Sequence, residues 1–291
     1  MKVLLAWYFV AVWGIGYVAT KAGLQYAPPF TFLSLRFIFG LLCLLPVVLL
    51  WRTAWPKRRQ EWFHLAVAGL LMHAVQLGAS HNAQYLGMSA GVSALIIACQ
   101  PLATAVLVFR TEKISLRQWA GVVIGLVGVG LVVWHKIDIR EVSAASLLCG
   151  VVALAGVTAA TLYQRRFSPT ADLKAAAVIQ LAASLAVIGP LAILVEGFEA
   201  NHTWQLWASV SFLVIFASIL GVSVLYYLLR HGEATRVTSM MYLPPVFAVA
   251  AEAAMFGVVP SALALAGMAV TCAGVAMTVW SRRWRSSISS S

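Results

Sequence analysis

The sequence predicts an all-α polytopic membrane protein with ten transmembrane helices, arranged as two inverted five-helix repeats around a central cavity. Three observations support this fold class: the composition, the spacing of the apolar runs and an internal repeat. Hydrophobic residues make up 62% of the 291 residues and charged residues only 10%, and the mean hydropathy is +0.91. Soluble domains carry about 25% charged residues, so this chain has too few charges to cover a water-exposed surface.

Apolar runs of about 20 residues recur along the whole chain, and a helix of that length crosses a ~30 Å hydrocarbon core. Helices also satisfy their own backbone hydrogen bonds, as lipid requires. The predicted spans are 3–21, 30–51, 62–82, 88–110, 115–134, 143–164, 173–195, 205–229, 234–257 and 261–281. The first run is too long, and ends too abruptly at Lys21, to be typical of a cleaved signal peptide. Residues 282–291 form a basic, Ser-rich tail that we expect to be cytoplasmic and disordered.

The basic residues are distributed unevenly between the two sides of the predicted membrane. With a cytoplasmic N-terminus, sixteen of the 20 basic residues lie in cytoplasmic segments and three lie in outer loops. The positive-inside rule therefore predicts that both termini are cytoplasmic. The net charge of +11 then faces anionic lipid headgroups, so we expect membrane lipids and no nucleic acid as partners.

An internal repeat divides the chain into a first repeat at 1–135 and a second repeat at 142–281. The aligned pairs at a nearly constant offset are Pro101 with Pro245, Gly121 with Gly267 and Gly128 with Gly274. Five spans per repeat reverse the direction in which the second repeat enters the membrane. Inverted repeats are typical of secondary transporters, in which the substrate site lies near the midplane between the repeats.

Two charged residues lie deep inside predicted spans, away from the span ends: Arg36 in the second and Glu252 in the outer half of the ninth. Charges at such depth usually mark a substrate path or a coupling site, so both residues are candidates for gating or coupling. Arg36 either binds a substrate carboxylate, pairs with Glu252 or extends its side chain to the membrane interface. Glu252 either forms a structural ion pair or carries a coupling proton.

A polar stripe follows the third span from its middle to its outer end. His73, Gln76, His81 and Gln84 recur at helical spacing, and Tyr85 comes four residues after His81. Intramembrane polar groups seldom face lipid, so the stripe predicts a cavity wall, with helix capping as the alternative. The histidines either titrate near neutral pH or stay neutral and hydrogen-bonded.

Other spans supply aromatic and amide candidates for the same cavity. Trp13 and Tyr17 share one face of the first span, four residues apart. The remaining candidates are Gln100, Tyr163, Tyr227 and Tyr242. No catalytic constellation or metal-ligand spacing is evident, and the four cysteines lie singly in apolar runs.

Prolines and glycines predict where helices bend and pack. Pro101 and Pro245 each remove a backbone hydrogen bond, and matched breaks in two repeats are typical of a transporter hinge. Gly121, Gly125 and Gly128 have the small-residue spacing that favours close helix packing. We expect this packing inside one chain, and a monomer, because a doubled repeat needs no second copy to complete its cavity.

Three stretches carry a family pattern: WGIGYVATKAG at 13–23, FLSLRFIFG at 32–40 and SAGVSALIIACQPLATAVLVFRTEKISLRQWAGVVIGLVGVGLV at 89–132. They resemble the EamA-type, ten-helix branch of the drug/metabolite transporter superfamily, and the resemblance covers the chain as a doubled five-helix unit. The Gly-Glu pair of the family after the fourth helix is Thr111–Glu112 here, and after the ninth helix it is replaced by Gly257–Val258. The resemblance implies alternating access to a cavity between the repeats and export of amino acids, metabolites or drugs.

The function expected from these observations is secondary transport that exports small metabolites, amino acids or related amphipathic compounds first, across a bacterial inner membrane. The alternative is a drug or toxic-compound exporter of the same fold. A channel would need a polar filter, and an intramembrane enzyme would need a catalytic constellation. We expect a small-molecule substrate, no cofactor, and a proton as one candidate coupling ion. The sequence contains no P-loop, so ATP-driven pumping is not expected.

Overall fold

The computed structural model describes residues 2–50, 53–108, 115–138, 142–230, 243–257 and 260–288. Regular structure in these ranges is helical throughout, with no β-strand. The helices are α1 (Lys2–Gly23), α2 (Pro29–Leu50), α3 (Arg59–Gly69), the π-helix π1 (Leu70–Leu77), α4 (Gly78–Tyr85), α5 (Ala90–Ala98), α6 (Gln100–Val108), α7 (Leu116–Asp138), α8 (Ala144–Phe167), α9 (Leu173–Glu196), α10 (Trp204–Ser211), the π-helix π2 (Phe212–Gly221), α11 (Val222–Arg230), α12 (Pro244–Phe256) and α13 (Ala262–Ile288).

In the described part of the chain, each of the ten predicted spans contains an apolar helical stretch, and the ninth span is described only from residue 243 onward. Seven of those in the described part of the chain are long and apolar enough to cross a membrane. The three shorter ones are Leu116–Val132, Pro244–Phe256 and Ala262–Met277. These helices confirm the predicted fold class, an all-α polytopic membrane protein.

The C-terminal tail differs from its prediction. Helix α13 continues to Ile288, so the expectation of disorder from residue 282 onward is wrong for the residues up to 288. The segment SRRWRSSI contains neither Gly nor Pro, the two residues that most strongly disfavour a helix interior. Nothing in this segment therefore ends the helix that the apolar span begins.

Two π-helices interrupt the third and eighth spans at matching positions. The shift that superposes Pro101 on Pro245 carries π1 onto residues 214–221, inside π2 (Phe212–Gly221). A π-helical turn holds an extra residue and therefore rotates the side chains that follow it, and such turns are frequent at functional sites. Both interruptions lie in continuous helices, α3 to α4 and α10 to α11.

The helices pack as two compact units, and each unit takes helices from both sequence repeats. One unit comprises residues 1–18, 87–147 and 220–291 and is called here the α7/α13 unit. The other comprises residues 19–86 and 148–219 and is called the α2/α9 unit. Each name gives the helix pair with the most extensive packing among the described helices of that unit.

Glycines let α7 and α13 approach at backbone distance. A Cβ atom on Gly128 would lie 2.5 Å from the backbone nitrogen of Thr271 and 2.7 Å from the carbonyl oxygen of Gly267. A Cβ on Gly274 would collide with the backbone nitrogen of Gly125 and lie 2.6 Å from the Gly121 oxygen. This geometry confirms the close packing predicted for the glycines of the fifth span.

The contacts between these glycines are reciprocal. Gly121 aligns with Gly267 and Gly128 with Gly274 in sequence, whereas in space Gly121 meets Gly274 and Gly128 meets Gly267. An exchange of partners of this kind is what a two-fold relation between two equivalent elements produces.

In the α2/α9 unit, the start of α2 meets the end of α9, so the two helices run antiparallel. A cluster of buried side chains that includes Leu33, Phe37 and Ile188 fills the contact. Close approaches at two glycines join the third span to its neighbours. A Cβ on Gly69 would lie 2.5 Å from the Cα of Gln180, and one on Gly156 would lie 3.1 Å from the Gln76 nitrogen.

Candidate functional site

Glu252 caps a helix in the α7/α13 unit. Its side chain is 3% exposed, and its two carboxylate oxygens accept hydrogen bonds from the backbone N–H groups of Ala90 and Gly91, each at 3.0 Å. Ser89 accepts from the next two N–H groups of α5 through its hydroxyl and its carbonyl oxygen. The four N–H groups at the start of α5 are therefore satisfied, and the carboxylate faces the positive end of the helix dipole.

A cavity of about 20 Å³ lies beside this cap. Its lining is mainly apolar and includes Val132, Val249 and Met268 together with Glu252. A space of this size holds about one water molecule, so it is too small for a metabolite. The geometry therefore favours a positioning role for Glu252 over direct contact with cargo at this point.

Glu196 makes the corresponding contact in the α2/α9 unit. Its Oε1 accepts from the Phe30 N–H at 3.0 Å, and its Oε2 accepts from the Thr31 N–H at 2.7 Å and the Thr31 hydroxyl at 2.8 Å. Pro29 opens α2 and has no N–H group, so Glu196 satisfies the first two donors that α2 offers.

Sequence reasoning missed Glu196 because a carboxylate at the end of a span is ordinarily solvated. The available signal was the start of α2, where Pro28–Pro29 provides no Ser, Thr, Asp or Asn cap. A helix start without its own capping residue needs an acceptor from elsewhere in the chain. The sequence does not say which acceptor that is.

Arg36 joins α2 to π2 inside the α2/α9 unit. Its Nη2 donates to the Ser218 hydroxyl oxygen at 3.3 Å. The Ser218 hydroxyl in turn donates to the Leu213 carbonyl oxygen, five residues earlier, at 2.9 Å. Arg36 as a whole residue is half-buried.

Two predicted cavity residues lie near Arg36. His73 lies beside the Gln180 side chain, and the Arg36 charge acts on its ring. The His73 ring also packs edge-on against Phe37 with 6.0 Å between centroids. The charge of Arg36 also acts on His81, whose ring packs against Phe32 at 5.8 Å.

Several buried polar atoms of this region have no hydrogen-bond partner among the described residues. They are both ring nitrogens of His81, both amide atoms of Gln84 and the Nε2 of Gln180. The Leu77 carbonyl approaches the His81 ring without reaching hydrogen-bond geometry. His81 is 2% exposed, Gln84 5% and Gln180 7%. Unpaired groups at this burial mark positions where water or a ligand completes the hydrogen bonding.

The rest of the predicted stripe is divided by burial. Gln76 is buried, and its backbone packs against Gly156 of α8. Tyr85 is 55% exposed, although it follows His81 by one helical turn. The stripe therefore consists of a buried set in π1 and α4 and an exposed tyrosine at its outer end.

The other predicted cavity residues are spread over both units. In the α7/α13 unit Trp13, Tyr17 and Gln100 are half-buried, and Tyr227 packs beside the buried Ala6 and Leu228. Tyr242 lies outside the described residues.

Tyr163 belongs to an aromatic cluster of the α2/α9 unit that also contains His64 and Phe167. Its hydroxyl is 2.7 Å from the His64 Nδ1, and its ring lies 4.6 Å from the Phe167 ring. Tyr163 therefore joins α3 to α8 near the predicted cytoplasmic ends of these helices.

The helix of the fourth span breaks close to Pro101. Helix α5 ends at Ala98 and α6 begins at Gln100. Cys99 lies between them, and its backbone N–H donates to the Ile96 carbonyl oxygen at 3.1 Å, three residues back, in a turn tighter than that of an α-helix. A proline lacks an N–H group to continue the ladder, which accounts for a break at this point. Pro245 lies in the first turn of α12, and residues 231–242 before it are outside the described ranges.

Comparison with known proteins gives a family. The model of the EamA-like transporter family matches residues 1–134 and 143–280. The chain is 27% identical over 243 residues to the "Uncharacterized inner membrane transporter YedA" of Escherichia coli K12, covering 82% of this chain and 77% of that protein. It is 26% identical over 295 residues to the "Probable amino-acid metabolite efflux pump" of Salmonella typhimurium LT2, covering 97% and 95%.

A crystal structure of another protein superposes with a TM-score of 0.65 at 18% identity, over 96% of this chain and 97% of that one. This likeness concerns the fold alone. Together with the named relatives and the apolar helices, the family match identifies a multi-pass inner-membrane transporter rather than an enzyme. The chain belongs to the EamA-like transporter family of the drug/metabolite transporter superfamily.

Proposed function

We propose that this transporter is a secondary, non-ATP-driven exporter of small amphipathic metabolites, amino acids first among them. It works by alternating access, with both termini in the cytoplasm. The observation that carries the proposal is the reciprocal glycine contact between α7 and α13. Because aligned residues exchange partners there, the contact supports two inverted repeats related by a two-fold axis, the architecture on which alternating access is built.

The π-helices and a helix break provide positions at which the helices of the two repeats would bend during transport. The two π-helices occupy matching positions of the third and eighth spans. The break at Cys99, beside Pro101, lies within the fourth span. Helix bends with these causes act as hinges because they lack regular hydrogen bonds. We assign Pro101 and Pro245 to hinges, and Arg36 and Glu252 to gating or coupling.

The choice of cargo rests on chemistry and on one relative. A protein similar over 97% of this chain is named a probable amino-acid metabolite efflux pump. The described polar side chains around Arg36 and His81 are amides, imidazoles, a hydroxyl and one guanidinium. This set suits a zwitterionic or neutral molecule better than a polyanion, which would need several cations inside the spans.

The proposal is tested by counterflow in proteoliposomes. Purified protein is reconstituted, the vesicles are loaded with one unlabelled L-amino acid at a time, and uptake of the labelled compound is followed. Saturable counterflow above that of protein-free vesicles is the expected result for at least one amino acid. Flux that rises linearly with concentration would indicate a channel instead. Flux of lipophilic cations or dyes with none for any amino acid would favour the alternative, a drug exporter.

Coupling is measured in the same vesicles. An imposed pH gradient accelerates net uptake only if a proton is the coupling ion. Reporters fused to each terminus, probed from outside whole cells, test the orientation. Accessibility of either terminus from the periplasmic side would contradict the proposed topology.

A further inference from the structure

We propose that Arg36, His73, Gln180 and Ser218 form a subsite that binds the carboxylate group of the transported molecule. All four residues belong to the α2/α9 unit. The inference rests on the proposed function and adds to it the chemical class of the cargo and the group that recognises it.

Arg36 carries a positive charge that its own unit does not neutralise. It lies seven residues into α2, or about 10 Å along the helix axis. The guanidinium has five N–H donors, and in the described part of the unit its one hydrogen bond is the 3.3 Å contact with Ser218. A cation at membrane depth is costly unless it is paired.

The acidic residues of the α2/α9 unit are engaged elsewhere or exposed. Glu196 binds the start of α2, Asp172 caps α9, Glu61 accepts from the Lys57 N–H at 3.1 Å, and Glu199 is exposed. Arg36 therefore has donors to offer to an anion that comes from outside the unit. A carboxylate matches its planar fork with two parallel hydrogen bonds.

The neighbours of Arg36 also offer donors. Gln180, which lies beside His73, has an amide nitrogen without a partner among the described residues. His81, on which the Arg36 charge acts, has two ring nitrogens that are likewise unpaired there. Both side chains are more than nine-tenths buried. None of these neighbours is acidic, so the cluster favours an anionic oxygen over a cation. One guanidinium balances a single charge, which fits a carboxylate better than a phosphate dianion.

The two π-helices bring the site together from opposite repeats. His73 lies on π1, and Ser218 lies on π2 with its hydroxyl bonded five residues back. Arg36, His73 and Ser218 are half-buried as whole residues, whereas His81 and Gln180 are buried. The wider turns thus direct polar side chains from both repeats toward the one basic residue inside the second span.

The test compares an amino acid with the same molecule lacking its carboxylate. Counterflow of L-leucine and of L-leucinamide is measured in proteoliposomes for wild type, Arg36→Gln and Arg36→Lys. Lys21→Gln is the matched control, since it removes one positive charge at the end of α1. Wild type is expected to favour leucine over leucinamide by about 10–100-fold, the value of one charge-assisted pair. In Arg36→Gln the counterflow of leucine should exceed that of leucinamide by no more than about threefold. Arg36→Lys should keep part of the wild-type preference for leucine, and Lys21→Gln should keep all of it.

Ligand binding is also measured directly, so that variants that fold but do not transport can still be compared. Thermal unfolding in detergent is followed with L-leucine, L-leucinamide and acetate, for wild type and Arg36→Gln. We expect L-leucine and acetate, the two compounds with a carboxylate, to raise the Tm of wild type. We expect neither compound to raise the Tm of Arg36→Gln. Equal handling of leucine and leucinamide by wild type would overturn the subsite while leaving amino-acid export intact. Absence of leucine counterflow together with Arg36-dependent stabilisation by acetate would overturn the amino-acid assignment and leave the subsite.

Counterflow measured for Glu252→Gln distinguishes binding of the cargo by Arg36 from an ion pair between Arg36 and Glu252. If Arg36 serves only as the partner of Glu252, then Glu252→Gln and Arg36→Gln will lower both fluxes equally and leave the leucine preference unchanged. That result would also overturn the subsite.

Discussion

Replacing Glu252 by Gln removes the carboxylate that caps α5 while keeping the length and nearly the volume of the side chain. The glutamine carbonyl can accept one of the two N–H groups now bonded to Glu252. Its amide nitrogen is a donor, and it would face the second N–H of the pair. One backbone donor of Ala90 or Gly91 is then buried without an acceptor.

The magnitude follows from these losses. A hydrogen bond to a charged group contributes about 1.5–3 kcal/mol, and a buried donor left unsatisfied costs about 1–3 kcal/mol. The loss of negative charge at the helix start adds about 0.3–1 kcal/mol. Because these contributions overlap, we expect a total of about 2–4 kcal/mol. For a chain of this size that corresponds to a fall in Tm of roughly 5–10 °C.

The assay is thermal unfolding of purified protein in detergent, followed by intrinsic tryptophan fluorescence. Glu199→Gln is the control, since Glu199 is exposed, and its Tm should stay close to that of wild type. The Tm of Glu196→Gln should also fall, as that of Glu252→Gln does, because Glu196→Gln loses the equivalent cap of α2. Wild-type stability of Glu252→Gln would refute the capping argument and leave the two alternatives from the sequence, a structural ion pair and a coupling proton.

Three further predictions concern other parts of the molecule. Three backbone N–H groups and a neighbouring lysine outweigh partial burial and lower the pKa of Asp172, so its charge stabilises the fold above pH ~4. The Tm difference between wild type and Asp172→Asn should shrink as the pH falls below that value and disappear once the pH is below the lowered pKa of Asp172. Gly128→Ala should destabilise by about 1–3 kcal/mol through overpacking, whereas Gly130→Ala, whose Cβ meets nothing within 4 Å, should leave Tm unchanged or raised. Tyr163→Phe should cost about 0.5–1.5 kcal/mol, and in a double-mutant cycle with His64→Phe the two costs should not add.

The sequence predicted features that depend on neighbours along the chain. The predicted spans follow from the length of the apolar runs. The close contact of α7 with α13 follows from the spacing of Gly121, Gly125 and Gly128, and the structure confirms this contact. The break beside Pro101 follows from a missing N–H group. Each of these signals lies within one span of about 20 residues, so a local stretch of sequence contains all the information needed to find it.

The polar stripe of the third span was only partly predictable. Its period places His73, Gln76 and His81 on one helical face, but π1 changes the helical turn at the residues where His73 and Gln76 lie. The close approaches of Gly69 to α9 and Gly156 to π1 accompany that change. These contacts join segments far apart in sequence, and a hydrophobicity period carries no record of them.

The sequence by itself determined the membrane class and the one basic residue inside the second span, and it predicts ten spans in two repeats. Only the tertiary structure decided which acceptor each helix start receives and which polar groups remain unpaired. Glu252 lies 162 residues from the N–H it caps and Glu196 lies 166 residues from its own. Every helix start offers the same donors, so local sequence states that an acceptor is needed, and packing selects which carboxylate supplies it.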